Sequence, residues 1–201
     1  MYQIDEIFYS IQGEGVYVGV PSHFIRFTSC NRECEFCDTS RPKERTMEMS
    51  LPQIAHSLHI LHLKCNRVVL TGGEPFTQEG LKDLLYYLHR LKYDVAIETN
   101  GDLLPNVSPP GNVFVTVSPK VWLEKWPAYI GEIKWLVGDG KELWQRALRE
   151  KLVCTRQFLQ PVTGPTPEAT YRNLQTTLHL VKENPSQFRL GVQLHKMVGI
   201  R

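Results

Sequence analysis

The sequence predicts an α/β fold, a partial and open (β/α) barrel with a reduced helix complement, in a single domain spanning residues 1–201. Three observations lead there. Short apolar runs alternate with longer helical patterns, as expected of parallel strands joined by helical crossovers. The 201 residues fall short of the ~250 that a complete eight-unit barrel takes. Polar turns bearing Gly or Pro recur after the strands, on the edge of the sheet where active sites of such folds gather.

The first predicted strand is 22–28 (SHFIRFT), and the loop after it, SCNRECEFCDTSR, carries three cysteines. A helix starts behind Ser50 as N-cap, with Pro52 in its first turn. Strand 67–70 (RVVL) runs into TGGEP. The helix after it takes Thr77 as N-cap, with Gln78 and Glu79 supplying first-turn polarity. Strand 94–99 (DVAIET) leads through Asn100-Gly101 into LLPNVSPPGN, too short and too Pro-rich for a full helix. Strands 113–117 (VFVTV) and 132–137 (EIKWLV) follow, the first ending in Ser118-Pro119-Lys120. A helix covers 141–151, and strand 155–159 (TRQFL) ends in QPVTG. The last helix, 166–183, has Thr166 as N-cap and Pro167 at its first position, and strand 189–194 closes the series.

Composition narrows the function. Forty-two per cent hydrophobic and 22% charged residues describe a globular protein. A net charge of +2 argues against binding nucleic acid by bulk electrostatics. No apolar run approaches the ~18 residues of a membrane span, and MYQIDEIFYS lacks the basic start and apolar stretch of a signal peptide. The expectation is a cytoplasmic protein without membrane contact. Five cysteines are an odd number for a disulfide framework, and Cys30, Cys34 and Cys37 crowd into eight residues while Cys65 and Cys154 stand alone. Three close thiols in a reducing compartment point to metal. Structural zinc takes four protein ligands, and the nearest fourth candidate, His23, lies inside a strand. An iron–sulfur cubane on three thiolates has one iron left open for a small molecule, so a cluster is favoured over zinc.

At this point the residues resemble a known superfamily. Cys30, Cys34 and Cys37, with Phe36 before the last, and Gly72-Gly73-Glu74-Pro75 are similar to the two signatures of radical S-adenosylmethionine (radical SAM) enzymes. Within it, the chain most resembles the 7-carboxy-7-deazaguanine synthase family. That likeness rests on Ser10-Ile11-Gln12-Gly13-Glu14-Gly15, Phe24-Ile25-Arg26-Phe27 and Cys37-Asp38-Thr39. It continues through Glu98-Thr99-Asn100-Gly101, Ser118-Pro119-Lys120, Gln160-Pro161 and Gln193-Leu194-His195-Lys196, so it spans residues 10–196.

The resemblance implies a radical SAM barrel and a lyase acting on a small pterin. The reaction would contract 6-carboxy-5,6,7,8-tetrahydropterin to 7-carboxy-7-deazaguanine with loss of ammonia. It implies a [4Fe–4S] cluster, SAM and Mg2+, a homodimer, and a flavodoxin- or ferredoxin-type electron donor. Cys30, Cys34 and Cys37 would hold the cluster and Thr39 the Mg2+. Phe36, Cys37, Asp38, Gly73, Glu74, Ser118, Pro119, Lys120, Gln160, Pro161, Val162 and Thr163 would hold SAM. Gln12, Gly13, Glu14, Arg26, Thr71 and the terminal Arg201 would hold the substrate. A carboxylate such as Glu14 accepts from the guanidine-like edge of a pterin, and Arg26 can fork onto the substrate's carboxylate.

Each residue also has a plainer reading. Gly72-Gly73-Glu74 alone is a strand-to-helix turn, Arg26 a structural ion pair with an acidic neighbour, and Thr39 a helix N-cap. Ser118-Pro119-Lys120 alone is a turn with a surface lysine, and His195 and Lys196 are structural. Trp122, Trp126, Trp135 and Trp144 read as core or interface, and His56, His59 and His62 as an exposed or lightly packed helix face. Two competing functions are a radical SAM enzyme activating a protein partner and a zinc-binding, non-catalytic module.

Overall fold

The structure, a computed structural model, describes residues 1–37, 46–62, 64–152 and 156–200. The apolar runs form a parallel array of β2 (Pro21–Phe27), β4 (Arg67–Gly72), β5 (Asp94–Thr99), β6 (Phe114–Val117), β7 (Ile130–Val137), β8 (Gln157–Pro161) and β9 (Arg189–Leu190). Two further strands, β1 (Tyr2–Ile11) and β3 (Met47–Met49), extend it antiparallel, giving the order β3-β1-β2-β4-β5-β6-β7-β8-β9. The end strands do not pair with each other among the described residues, so the sheet is open, as expected.

The sequence reading missed β1 and β3. In β1, Tyr2, Ile4 and Phe8 are buried, but the register shifts between Ile4 and Glu6. A bulge there re-phases the two faces, so no clean alternation survives to be read.

The helices are α1 (Leu51–Leu61), α2 (Leu81–Arg90), α3 (Leu143–Arg149), α4 (Pro167–Glu183) and α5 (Leu194–Val198). Leu81, Leu84, Leu85 and Leu88 recur at three- and four-residue spacing and pack with Ile54 and Leu58 of α1 against Ile25, Val68, Leu70 and Ile97. A second core surrounds the fully buried Trp135, on which Trp122 and Trp126 pack; Trp144 borders it. The connections β5–β6 and β6–β7 contain no helix, the reduced complement anticipated for the first of them.

Two boundaries differ from expectation. α2 starts at Leu81 rather than behind Thr77. Thr77 lies in a 3-10 turn with its hydroxyl donating to Glu74 O at 2.7 Å, and Gly80 with φ 78° separates the two. β9 ends at Leu190, and the chain turns into α5 where Leu194 N donates to Gly13 O at 2.9 Å. Thr166 does cap α4, accepting from Ala169 N at 3.2 Å. His56 and His59 are exposed, while His62 stacks on Tyr9. No helix among the described residues is long and apolar enough to cross a membrane.

Candidate active site

The loops at the C-terminal ends of the parallel strands surround a cavity of about 1460 Å³. Small-molecule pockets usually measure ~300–1,000 Å³, so this one has room for two ligands side by side. Gln12, Gly13 and Glu14, just after β1, line it. Tyr17 packs edge-on against Phe114, the first residue of β6, and under the guanidinium of Arg67, the first of β4.

One end of the cavity is lined by Cys30, Cys34 and Cys37. Their loop is held by backbone. Gly73 N donates to Phe27 O at 2.9 Å and Glu74 N to Ser29 O at 2.8 Å. A Cβ on Gly73 would lie 1.9 Å from Ser29 O, so only glycine permits this approach. Arg32 forks onto Asp102, and Asn31 joins Asp102 at 3.0 Å and Asn100 at 2.8 Å, tying the loop to the turn after β5. Burial raises the Cys30 thiol above its ordinary value, and Glu74 and the other two thiols add to the rise. Cations placed among these sulfurs would relieve that.

The other end is polar and buried. Lys134 of β7 donates to Glu14 and, at 2.7 Å, to Glu98 Oε2. Gln12 Nε2 donates to Glu98 Oε1 at 3.0 Å; Gln193 Nε2 and Gln160 Nε2 donate to Glu14 Oε1 at 2.8 and 3.3 Å. Burial pushes Glu14 up, but Lys134 outweighs it and holds the carboxyl at about 2. Glu98, with fewer donors, is raised by its burial. Lys134 loses to burial and gains more from the two carboxylates, so it stays protonated.

Most of the residues anticipated from the sequence line this one cavity: Gln12, Gly13, Glu14, Arg26, Phe36, Thr71, Gly73, Ser118, Lys120 and residues 160–163. Pro119 is buried beside them. Glu74 is fully buried, and its carboxylate accepts from Phe76 N, Thr99 Oγ1 and Asn100 N at 3.1, 2.7 and 2.7 Å. It therefore braces the turn beneath the cavity rather than lining it. Arg26 donates through Nε to Glu6 Oε1 at 2.8 Å, and both line the cavity. Burial lowers Lys120 to about 8, and its Nζ donates to Ser118 Oγ at 2.8 Å. Asp38, Thr39, Cys154 and Arg201 lie outside the described residues.

The sequence reading assigned no role to Lys134, Glu98 or Gln193. The signal for Lys134 was present: Glu132 and Lys134 sit two apart, on one face, inside an apolar strand. His195, read as structural, lines the cavity against Gly13, and Lys196 donates to Thr163 Oγ1 at 3.1 Å.

The donor set suits a cluster and a nucleoside cofactor. Among the described residues no three His, Cys, Asp or Glu side chains converge on a point that could hold one metal ion. A cubane does not call for such a point, because it spreads its three thiolates over three irons. Gln160 Oε1 is buried without a hydrogen-bond partner and belongs to the cavity wall, an acceptor suited to a bound donor.

Residues 24–149 match the radical SAM superfamily. The chain is 35% identical over its whole length to the 7-carboxy-7-deazaguanine synthase of Bacteroides thetaiotaomicron, covering all of that protein. It is 41% identical to the enzyme of that name from Rickettsia prowazekii, with 98% of this chain and 88% of the relative aligned. The crystal structure of QueE from Escherichia coli superposes with a TM-score of 0.72 at 27% identity, covering 96% of this chain and 94% of the other.

Proposed function

This chain belongs to the 7-carboxy-7-deazaguanine synthase family of the radical SAM superfamily, and from that premise we propose that it converts 6-carboxy-5,6,7,8-tetrahydropterin to 7-carboxy-7-deazaguanine and ammonia. The observation carrying the proposal is one cavity with three thiols at one end and a buried carboxylate–lysine cluster at the other. That is the layout needed to set a radical source against a polar bicyclic substrate.

When bound, a cluster and SAM would supply one-electron radical chemistry toward the substrate. Cys30, Cys34 and Cys37 would hold the cluster. Phe36, Gly73, Ser118, Lys120, Gln160 and residues 161–163 form part of the wall of the cavity that the thiols also line, which supports their role toward SAM. Glu74 and Pro119 then act by bracing that wall. Gln12, Glu14, Arg26 and Thr71 would orient the pterin: Glu14 accepts from its amino-pyrimidinone edge, and Arg26 meets its carboxylate with the terminal nitrogens that Glu6 leaves unused.

Mg2+ belongs to the same reading, through an oxygen of Thr39, as do Asp38 for SAM and Arg201 for the substrate. A homodimer and a small one-electron donor of the flavodoxin or ferredoxin type complete it, in a reducing compartment such as the cytoplasm. We take the whole chain as one catalytic unit, since the nine strands among the described residues join one sheet.

Anaerobic incubation of reconstituted protein with SAM, reductant, Mg2+ and carboxytetrahydropterin tests the proposal by mass detection. The deazaguanine is the expected product; SAM cleavage without it would move the substrate assignment elsewhere.

A further inference from the structure

Lys134 is only 5% exposed, and one ammonium there serves two carboxylates. Both Glu14 oxygens and both Glu98 oxygens carry hydrogen bonds from Lys134, Gln12, Gln160 or Gln193. Glu132, on the same face of β7, accepts from Thr116 Oγ1 at 3.0 Å and from Val16 N at 2.9 Å, and its charge adds to the rise of Glu98. Lys120 from the loop after β6 and His195 from α5 are the other charged or titratable groups acting on the cluster. The Lys134 ammonium thus offsets carboxyl charge in a desolvated place, where an isolated pair of carboxylates would share a proton instead.

We propose that Lys134 is a positioning residue, holding the carboxyl groups of Glu14 and Glu98 as two spaced acceptors that together read a ring edge with several N–H donors. The ligand class is an amino-substituted pyrimidinone, and the inference rests on the carboxytetrahydropterin reading above. Spacing matters as much as charge. Because each acceptor is also fixed by an amide side chain, a ring lacking its exocyclic amino group would forfeit a hydrogen bond that the fixed pair cannot move to replace. Such sites discriminate strongly against the deficient analogue.

Anaerobic turnover with 6-carboxy-5,6,7,8-tetrahydropterin tests this by comparing wild type with Lys134→Met, Lys134→Arg and the charge-balanced pair Lys134→Met with Glu98→Gln. Cluster absorbance reports folding. Lys134→Met is expected to raise KM at least about tenfold, with a smaller change in kcat. The acid limb of kcat/KM should move to higher pH, because the carboxylates then hold a proton that blocks them as acceptors. Lys134→Arg should recover most of the KM. The double variant, which removes one cation together with one carboxyl group, covers failure of the single one to fold and should still show the raised KM. A wild-type KM in either Met variant overturns the inference, and so does a raised KM with no pH shift and no rescue by Arg. Absence of deazaguanine from the wild type would instead sink the functional reading on which it rests.

Discussion

Leu194 N donates to Gly13 O at 2.9 Å, joining the chain after β9, at one end of the sheet, to the loop after β1, near the other. With Gln193 Nε2 on Glu14 at 2.8 Å, this contact closes the side of the cavity that the open sheet leaves without a strand ladder. A few bonds and a five-residue helix do there what a ladder does elsewhere. Such a closure is easier to displace than a strand in the array.

Gly13 is the point at which to displace it. A Cβ on Gly13 would lie 2.2 Å from His195 Nδ1 and 3.2 Å from His195 N, so α5 has to shift outward. Gly13→Ala should lower kcat/KM by about ten- to a hundredfold, since small misplacements of a site wall have that effect. Thermal unfolding should change little. Steady-state kinetics beside a melting curve checks both.

The cysteine loop makes a separate prediction. Cys34→Ala should lose cluster absorbance and SAM cleavage together after anaerobic reconstitution, because an iron without its thiolate opens the cubane to loss. A variant that still cleaves SAM at the wild-type rate would remove Cys34 from the ligand set.

Acid should unfold this protein partly through Glu14. Its carboxyl is ordinary, near 4.5, in the unfolded chain and about 2 in the fold, a difference worth about 3 kcal/mol. A depressed value means that the stability is present above the unfolded value and is lost as pH falls from 4.5 towards 2. Glu98 works in the opposite direction, its raised value costing stability as pH rises. Glu14→Gln should therefore be less stable at neutral pH yet lose less on acidification. Urea midpoints measured on both sides of that window decide it.

Trp135 anchors the second core, fully buried between Trp122 and Trp126, with its Nε1 donating to Gln157 Oε1 at 2.8 Å. Trp135→Ala should cost about 3–5 kcal/mol, from the cavity and the stranded amide together. Urea denaturation followed by the remaining tryptophans gives the value.

The parts of the site that were legible in the sequence share one property. Cys30, Cys34 and Cys37 lie within a single loop, and Gly72-Gly73 within a single turn, so their chemistry is local and spacing displays it. Arg26 shows the opposite case. Its ion-pair partner was foreseeable in kind, but Glu6 was not, because that pairing depends on a bulged antiparallel register with a strand the hydrophobic pattern did not reveal. Glu74 was readable as a conspicuous carboxylate, yet its direction, down into Phe76, Thr99 and Asn100 rather than into the cavity, was decided by the turn around it.

The sequence alone determined the alternation of parallel strands and helices, the missing third helical crossover and the crowding of three thiols, which follow from periodicity and short-range spacing, and it displayed the family through motifs spread over residues 10–196. Only the tertiary structure decided that the gap in the sheet is closed by α5 on Gly13, and that Lys134 stands between Glu14 and Glu98. Those partners are 120 and 36 residues away from Lys134. A strand's period says which face a lysine occupies, but its neighbours depend on strand order and register, which are set by packing the whole sheet.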